Sequence, residues 1–399
     1  MKKSIFLFMI LSFCFYKNIK AQNNFWSSSE AYLGQIPPSD TPKIFAPGLL
    51  GDASSFSLDR VAFSPDGKEF YYCTNDEWFS EKNLKIKRFK YDRNKWNGPT
   101  LLNEHFYAPT FSKDGNSLYF MGGKSIGEVW QSHRMDTGWS IPALYIKKNY
   151  AMYDYMPTNS GISYVGSNAN NGSINDFSSY DICRFSVSNN DTTIQSLGIP
   201  LNTPGFNGDF FVSKDESFII ISAKEHPDFE CELYISYRKK DNTWTNPKSL
   251  GQLINNGLAH RWGEYVTPDN RYLFYSYGHS KADCKILWVR FDKLLESLKH
   301  TNFDPYVKSA IKNRSVFVHQ SFRLKISENT FVDDDGNNTL TWSASSNNGI
   351  ILPSWLKFDA KKKTFSGTPL EIGTYNIKVT VIDPAKATAS TSFLLIVNK

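Results

Sequence analysis

Cysteine is scarce in this chain: five in 399 residues, with no Cys-x-x-Cys pair. Without that pair, and with seven scattered histidines, no zinc-ribbon, zinc-finger or dithiol-redox motif has its ligands. No Gly-x-Ser-x-Gly elbow is present, which removes the usual sign of a hydrolase nucleophile. Long basic blocks are missing too. Lys and Arg number 45 against 39 Asp and Glu, and four of the lysines lie in the first 21 residues. The remainder of the chain is nearly neutral, so the electrostatic footprint of a nucleic-acid binder is absent and no nucleic-acid partner is expected.

Long hydrophobic runs are also lacking. The most apolar stretch, Ile5–Phe15, is broken at Ser12 and falls short of the roughly 20 residues a membrane helix needs. Lys2 and Lys3 precede it and Ala21-Gln22 come after it, which is the pattern of a cleaved signal peptide over residues 1–21. A lipoprotein signal with Cys14 as the modified residue ranks second, because bulky Phe13 stands where a small residue is favoured; an uncleaved anchor ranks third. The expectation is an exported chain, periplasmic, cell-surface or secreted, with no transmembrane span after cleavage. Cys73, Cys183, Cys231 and Cys284 then remain. An oxidising compartment permits disulfides, but each falls in or beside a strand-like run and reads as a small buried apolar residue.

What the chain has is repetition. Val61-Ala-Phe-Ser-Pro-Asp-Gly-Lys-Glu-Phe-Tyr-Tyr72 is echoed by Pro109–Phe120, Phe211–Ile220 and Tyr265–Tyr275, with Pro157–Val165 as a worn copy. The turn residues Gly67, Gly115, Gly161, Glu216 and Asn270 recur at roughly 50-residue steps, the length of one propeller blade. Each unit is a short apolar strand, an Asp-Gly-type turn and a second strand of aromatic and β-branched residues. A third strand comes next, as in Leu84–Phe89 and Glu232–Tyr237, and then a Trp-x-x-Pro element at Trp96, Trp139 and Trp244. The fifth unit lacks that last element and runs into a helix-like Asp292–Lys299. Ile44-Phe-Ala-Pro47 with Gly48-Leu-Leu50 parallels the missing piece, so an N-terminal strand is expected to complete the last sheet and remove an exposed edge.

Phe63-Ser-Pro-Asp-Gly-Lys68 and its copies resemble the WD40-like repeat of the TolB-type periplasmic propellers, over about residues 41–291. The expected fold is therefore all-β: a β-propeller over residues 41–300, with five blades, or six if Gln22–Asp40 or residues 166–180 hide another unit. That family is functionally mixed, so the resemblance implies fold more than activity.

A linker is expected over residues 301–314 and a β-sandwich over 315–399, with strands at Phe317–Ile326, Leu340–Ala344, Lys357-Phe358, Thr364-Phe365, Gly373–Ile382 and Thr391–Val397. Phe331-Val-Asp-Asp-Asp-Gly336, Leu340-Thr-Trp-Ser-Ala344, Leu352–Asp359, Phe365-Ser-Gly-Thr-Pro369 and Gly373–Asp383 resemble the dystroglycan-type cadherin-like domain, of immunoglobulin-like fold. Members of the wider cadherin-like group bind calcium between domains. The resemblance thus implies Ca²⁺ on Asp333, Asp335 and Asp383, the hard oxygen donors that ion needs. A solvated acidic turn is the simpler alternative.

Residues just before each innermost strand should line the channel or its mouth. They are Asp59, Arg60, His105, Asp154, Asp209, His260, Arg261 and Glu264, and convergent polar groups there form the expected ligand site. Some propellers with this repeat are lyases that use histidine and a metal, and His105 and His260 hold similar places in their repeats. The leading expectation is a non-catalytic envelope scaffold that engages a protein or glycan through the propeller, with the sandwich as adhesion module or spacer. A polysaccharide-active, lyase-like enzyme is the alternative.

Overall fold

In a computed structural model, the described residues are 25–399 apart from 53, 79, 81, 123–126, 171–179, 189–190, 203–208, 225–229, 347–348 and 350. The expected signal segment, Cys14 included, and most of the 166–180 loop lie outside them.

Residues 43–290 build five antiparallel sheets, one per repeat. The first contains Phe56–Phe63, Glu69–Asn75, Lys85–Asp92 and Lys95–Glu104. The second contains Phe106–Phe111, Ser117–Gly122, Glu128–Met135 and Ala143–Lys147, with Gly138–Trp139 paired to the third of these. Met152–Pro157, Ser163–Ser167, Asp181–Ser188 and Asp191–Ser196 form the third. Phe210–Val212, Phe218–Lys224, Cys231–Tyr237 and Lys248–Ser249 form the fourth. His260–Val266, Tyr272–Gly278 and Lys285–Arg290 form the fifth, with Lys43–Ile44 as its outer strand. The first strands of neighbouring sheets touch in the cyclic order one to five and back to one. That is a propeller-like arrangement, with the leading strands around a common axis.

Position in the sheet explains composition. Phe56–Phe63 and Glu69–Asn75 are buried along their whole length, because neighbouring sheets cover both faces. The outer strand Lys95–Glu104 is mostly exposed and correspondingly polar.

The repeat's turn has a shared hydrogen-bond logic. The Ser64 hydroxyl donates to Asp66 at 2.6 Å, and the same carboxylate oxygen accepts from the Lys68 N–H at 3.1 Å. Ser112 with Asp114, Ser213 with Asp215 and Thr267 with Asp269 repeat the hydroxyl bond at 2.6–2.7 Å. The next residue is left-handed in every copy: Gly67, Gly115, Gly161, Glu216 and Asn270, with φ of 74°, 72°, 85°, 59° and 57°. Glycine adopts this at least cost, and Asn tolerates it.

The completing strand is shorter than expected. Lys43 pairs with Trp288 and Ile44 with Leu287, and the Phe45 N–H reaches the Ile286 carbonyl at 2.9 Å. Pairing stops there, because Ala46 and Gly48 take positive φ and turn the chain away. Residues 25–40 hold no further sheet. They form two short 3-10 turns whose Trp26 and Tyr32 pack on Phe63, Tyr272 and Trp288, sealing the seam between the first and fifth sheets. Cys73, Cys183 and Cys231 are buried and Cys284 is partly buried.

The helix falls at Asp292–Lys299, as its leucine spacing predicts, and Leu294, Leu295 and Leu298 pack on the core under the fourth and fifth sheets. No helix among the described residues is long and apolar enough to cross a membrane.

The C-terminal part is an Ig-like sandwich. One sheet orders Arg314–Phe317, Thr388–Asn398, Gly373–Ile382 and Thr341–Ser346; the other orders Phe322–Lys325, Thr364–Gly367 and Leu356–Asp359. Phe331, Trp342, Phe365 and Ile377 lie in the core between them. Two expectations are corrected. The run 317–326 is two strands in different sheets, because His319 takes φ 61° and turns the chain between them. The 301–314 segment is not a free linker: Tyr306–Val307 pairs with Phe331–Val332, and Arg314 already begins a strand.

Candidate functional site

Four of the five leading strands bulge at the equivalent place, by one extra residue at Tyr107/Thr110, Tyr153/Met156 and Trp262/Tyr265 and by two at Leu58/Ala62. The residue that opens each has positive φ: Asp59 at 65°, Ala108 at 48°, Asp154 at 55° and Gly263 at 64°. A bulge bends the strand and re-aims its side chains. Here the bulges bring Asp59, Asp154 and Glu264 together with Asp209, which directly precedes the fourth leading strand. Glycine is needed at 263, because a Cβ there would overlap the backbone of Asp59 and Arg60.

Arg60 is the cation among these acids. Its Nη2 lies 2.6 Å from Asp154 Oδ1 and donates to the Phe210 carbonyl at 3.1 Å, while its Nε donates to the Glu264 carbonyl at 3.3 Å. The Arg60 N–H donates to Asp59 Oδ1 at 2.6 Å, and Gly263 N–H to Asp209 Oδ2 at 3.1 Å. Glu264 is fully buried, and neither of its carboxylate oxygens has a hydrogen-bond partner. Burial, then the charge of Asp154, pushes Asp59 up to about 7. Burial with Asp154 and Asp59 pushes Glu264 up to about 8, and Asp209 also rises well above its usual range. Burial opposes ionisation of Asp154 as well, and the Arg60 guanidinium counteracts it.

Among the described residues, Asp59, Asp154 and Asp209 are the one group of three or more His, Cys, Asp or Glu side chains whose ligand atoms all lie within 4.8 Å of one another. The histidines do not join them. His105 is exposed at the start of the second sheet. His260 faces Cys231 Sγ at 3.4 Å and packs on Trp262 at 4.6 Å. Arg261 also departs from its expected role. It is fully buried and donates to the carbonyls of Cys231, Ile254, Asn256, Gly257 and Ala259, so it anchors the 254–259 loop and leaves no N–H for a ligand.

A cavity of about 290 Å³ opens on the turn side of this cluster, with Arg60 in its wall. Sequence reading missed its lining. The residue between the Ser/Thr and the Asp of each turn, or its equivalent, contributes: Pro65, Lys113, Asn159, Lys214 and Pro268. Lining up the five repeats exposes that position as the variable one, which was the available signal. Phe63, Phe111, Phe211 and Tyr265 supply aromatic walls. Lys214 spans two sheets, donating to the Phe111 and Pro157 carbonyls at 2.9 and 2.8 Å, and burial pushes it down to about 7.

In the sandwich, two of the three expected calcium residues, Asp335 and Asp383, bond residues 302–303 at the joint, while Asp333 bonds within its own loop and keeps a buried Oδ2 without a partner. Asp335 Oδ2 accepts from the Phe303 N–H at 2.6 Å, and Asp383 Oδ2 from the Asn302 amide at 2.8 Å. Asp333 Oδ1 accepts from the Asp335 N–H at 2.8 Å. The neighbouring Asp334, which the calcium expectation left out, takes Lys239 Nζ at 2.7 Å and the Asn246 N–H at 2.6 Å.

Residues 304–398 match the family described as "Putative Ig domain", which fits the sandwich. No curated protein matches the chain. Among solved structures, TolB from Acinetobacter baumannii is similar at 15% identity over 58% of this chain and 54% of its own, with a TM-score of 0.36. Prolyl oligopeptidase B from Galerina marginata is similar at 11% identity over 83% of this chain and 47% of its own, TM-score 0.36. A "putative alpha-galactosidase" from Bacteroides fragilis shares 19% identity over 24% of this chain and 18% of its own, TM-score 0.19. The chain thus spans 18% of that galactosidase and about half of TolB.

Proposed function

We propose that this chain is an exported, non-catalytic binding protein of the cell envelope: a five-bladed propeller completed by its N-terminal strand, joined to a cadherin-like sandwich, with a protein or glycan held at the turn-side mouth of the channel. The observation that carries the reading is the axial cavity, to which the turns of all five sheets contribute. Its walls are mainly aromatic and apolar, with Arg60, Thr110, Ser112, Lys113, Asn159 and Lys214 as polar groups, the composition expected of a ligand pocket. About 290 Å³ suits one sugar ring or one large side chain of a partner. The aromatic faces would stack on it and the polar groups would fix its orientation. The cyclic contact of the leading strands supports the closed five-blade form. The sandwich is held against the body by Asp334 and Asp335, which suits a spacer of fixed orientation.

The test is capture from an envelope extract on the immobilised chain, divided into protein and glycan fractions. Lys113→Glu and Asn159→Trp alter exposed positions at the mouth, so both should fold. Each is expected to cut retention of the captured species by about tenfold, the scale of one lost anchoring contact. Retention unchanged in both variants would overturn the reading.

A further inference from the structure

We propose that the axial carboxylates Asp59, Asp154 and Asp209, with Glu264 beside them, form a binding site for one divalent cation of calcium size. This site is independent of the ligand mouth and of the sandwich.

The ligand atoms of the three aspartates lie within 4.8 Å of one another. Oxygens on opposite sides of a calcium ion are about 4.6–5.2 Å apart, so one ion can touch all three. The smaller Mg²⁺ demands a tighter octahedron with oxygens at about 2.0–2.1 Å. All three donors are hard oxygens, with no sulfur or imidazole among them, which favours calcium over a transition metal.

Glu264 is fully buried, with both carboxylate oxygens unpartnered, and it interacts electrostatically with Asp154, Asp59 and Asp209. A buried carboxylate without a donor is expensive and calls for a partner. Among the described residues the cation at hand is Arg60, which is committed to Asp154, to the Phe210 carbonyl and to the backbone carbonyl of Glu264, not to its carboxylate. With all four acids ionised, a single guanidinium leaves a large negative excess, which a divalent ion would mostly neutralise. Asp209 is the half-buried member of the trio.

The bulges connect the site to the fold. Positive φ at Asp59 and Asp154, together with the close approach of Gly263, sets three sheets at one point on the axis. A cation there would tie the leading strands together at their most crowded point.

The experiment uses the full chain, stripped with chelator and titrated with CaCl₂ at pH 8 by calorimetry and by thermal melting. One equivalent of Ca²⁺ is expected to bind and raise the melting temperature. Asp59→Asn with Asp209→Asn should weaken binding by at least about tenfold, because ligand charge sets calcium affinity. Asp333→Asn with Asp383→Asn, in the sandwich, should leave it unchanged. The axial amides relieve like-charge repulsion, so that variant should fold; Glu264→Gln, one charge fewer, serves as the second variant. Terbium bound to the wild-type chain, excited through nearby tyrosine and displaced by Ca²⁺, provides a readout that needs no variant. The proposal is overturned if the wild-type chain shows no saturable Ca²⁺ binding or terbium signal, if binding survives the axial variants, if it disappears with the sandwich variant alone, or if Mg²⁺ binds more tightly than Ca²⁺.

Discussion

Arg60 of the first sheet and Asp154 of the third meet 2.6 Å apart, both nearly inaccessible to solvent. They are 94 positions apart in sequence, so the contact exists only because the leading strands share an axis. Breaking such a pair strands one buried charge. Asp154→Ala or Arg60→Ala should cost about 3–5 kcal/mol in chemical denaturation. Arg60→Met with Asp154→Leu should recover much of that loss, since a buried ion pair can be replaced by apolar volume. Equal losses in the single and double variants would contradict this account of the pair.

The pH dependence comes from the acids on the axis. Asp59 at about 7 and Glu264 at about 8 stand above their unfolded values of 3.8 and 4.5. Between pH 4.5 and 7 the folded chain therefore holds protons that the unfolded chain has released, and stability falls as pH rises through that window. His279, raised by its bond to Asp283, acts in the same direction above 6.5, while Lys214 opposes it only above about 7. Thermal melts in chelator should drop from pH 5 to pH 7, and Asp59→Asn with Glu264→Gln should flatten the slope. A rise over that interval would contradict it.

Glu216 occupies a left-handed turn position that glycine holds in three sister repeats. The strain is offset by bonds: Arg238 at 2.6 Å, Tyr164 at 2.7 Å and Thr158 at 3.1 Å, with Ser160 also donating. These donors outweigh the effect of burial and hold Glu216 down to about 2. Its contribution is present above pH 4.5 and is lost as pH falls toward 2. Glu216→Gly should destabilise by about 2–3 kcal/mol in urea despite relieving φ, because it removes the carboxylate that Arg238 and Tyr164 share. A stabilised variant would show that backbone strain dominates.

At the joint, Asp334 holds Lys239 and the Asn246 N–H together. Asp334→Ala should loosen the sandwich from the body with little change in either core. Limited proteolysis should then cut residues 301–314 several-fold faster, with the main melting transition in place. An unchanged cleavage rate would mean that Asn302 and Phe303, bonded to Asp383 and Asp335, suffice.

The repeats made the five sheets readable, because each hairpin's signal is local: a hydroxyl, an Asp (Ser160 in the third repeat) and a left-handed residue within four positions. The helix at Asp292–Lys299 and the long strand Gly373–Ile382 were readable for the same reason, from periodicity alone. The joint was not. The pairing of Tyr306–Val307 with Phe331–Val332 depends on how two domains meet, which no local pattern records. The axial residues were half-legible. Their expected place before each leading strand drew attention to Asp59, Asp154, Asp209 and Glu264, of which only Asp209 precedes its strand and the others lie inside, but also to Arg261, whose side chain turns into its own loop. Position along a strand does not reveal which face a bulge presents. The mouth residues Lys113, Asn159 and Lys214 went unnoticed because they sit inside the turn motif, where the constant neighbours attract attention.

The most direct test of the binding account places a photo-reactive amino acid at Lys113, on the channel mouth, and in a second protein at Lys325, an exposed position on the sandwich. After irradiation in envelope extract, the account predicts a discrete adduct from position 113 that free ligand or the Asn159→Trp change suppresses, and none from 325. Adducts from position 325 alone would contradict it and assign recognition to the sandwich.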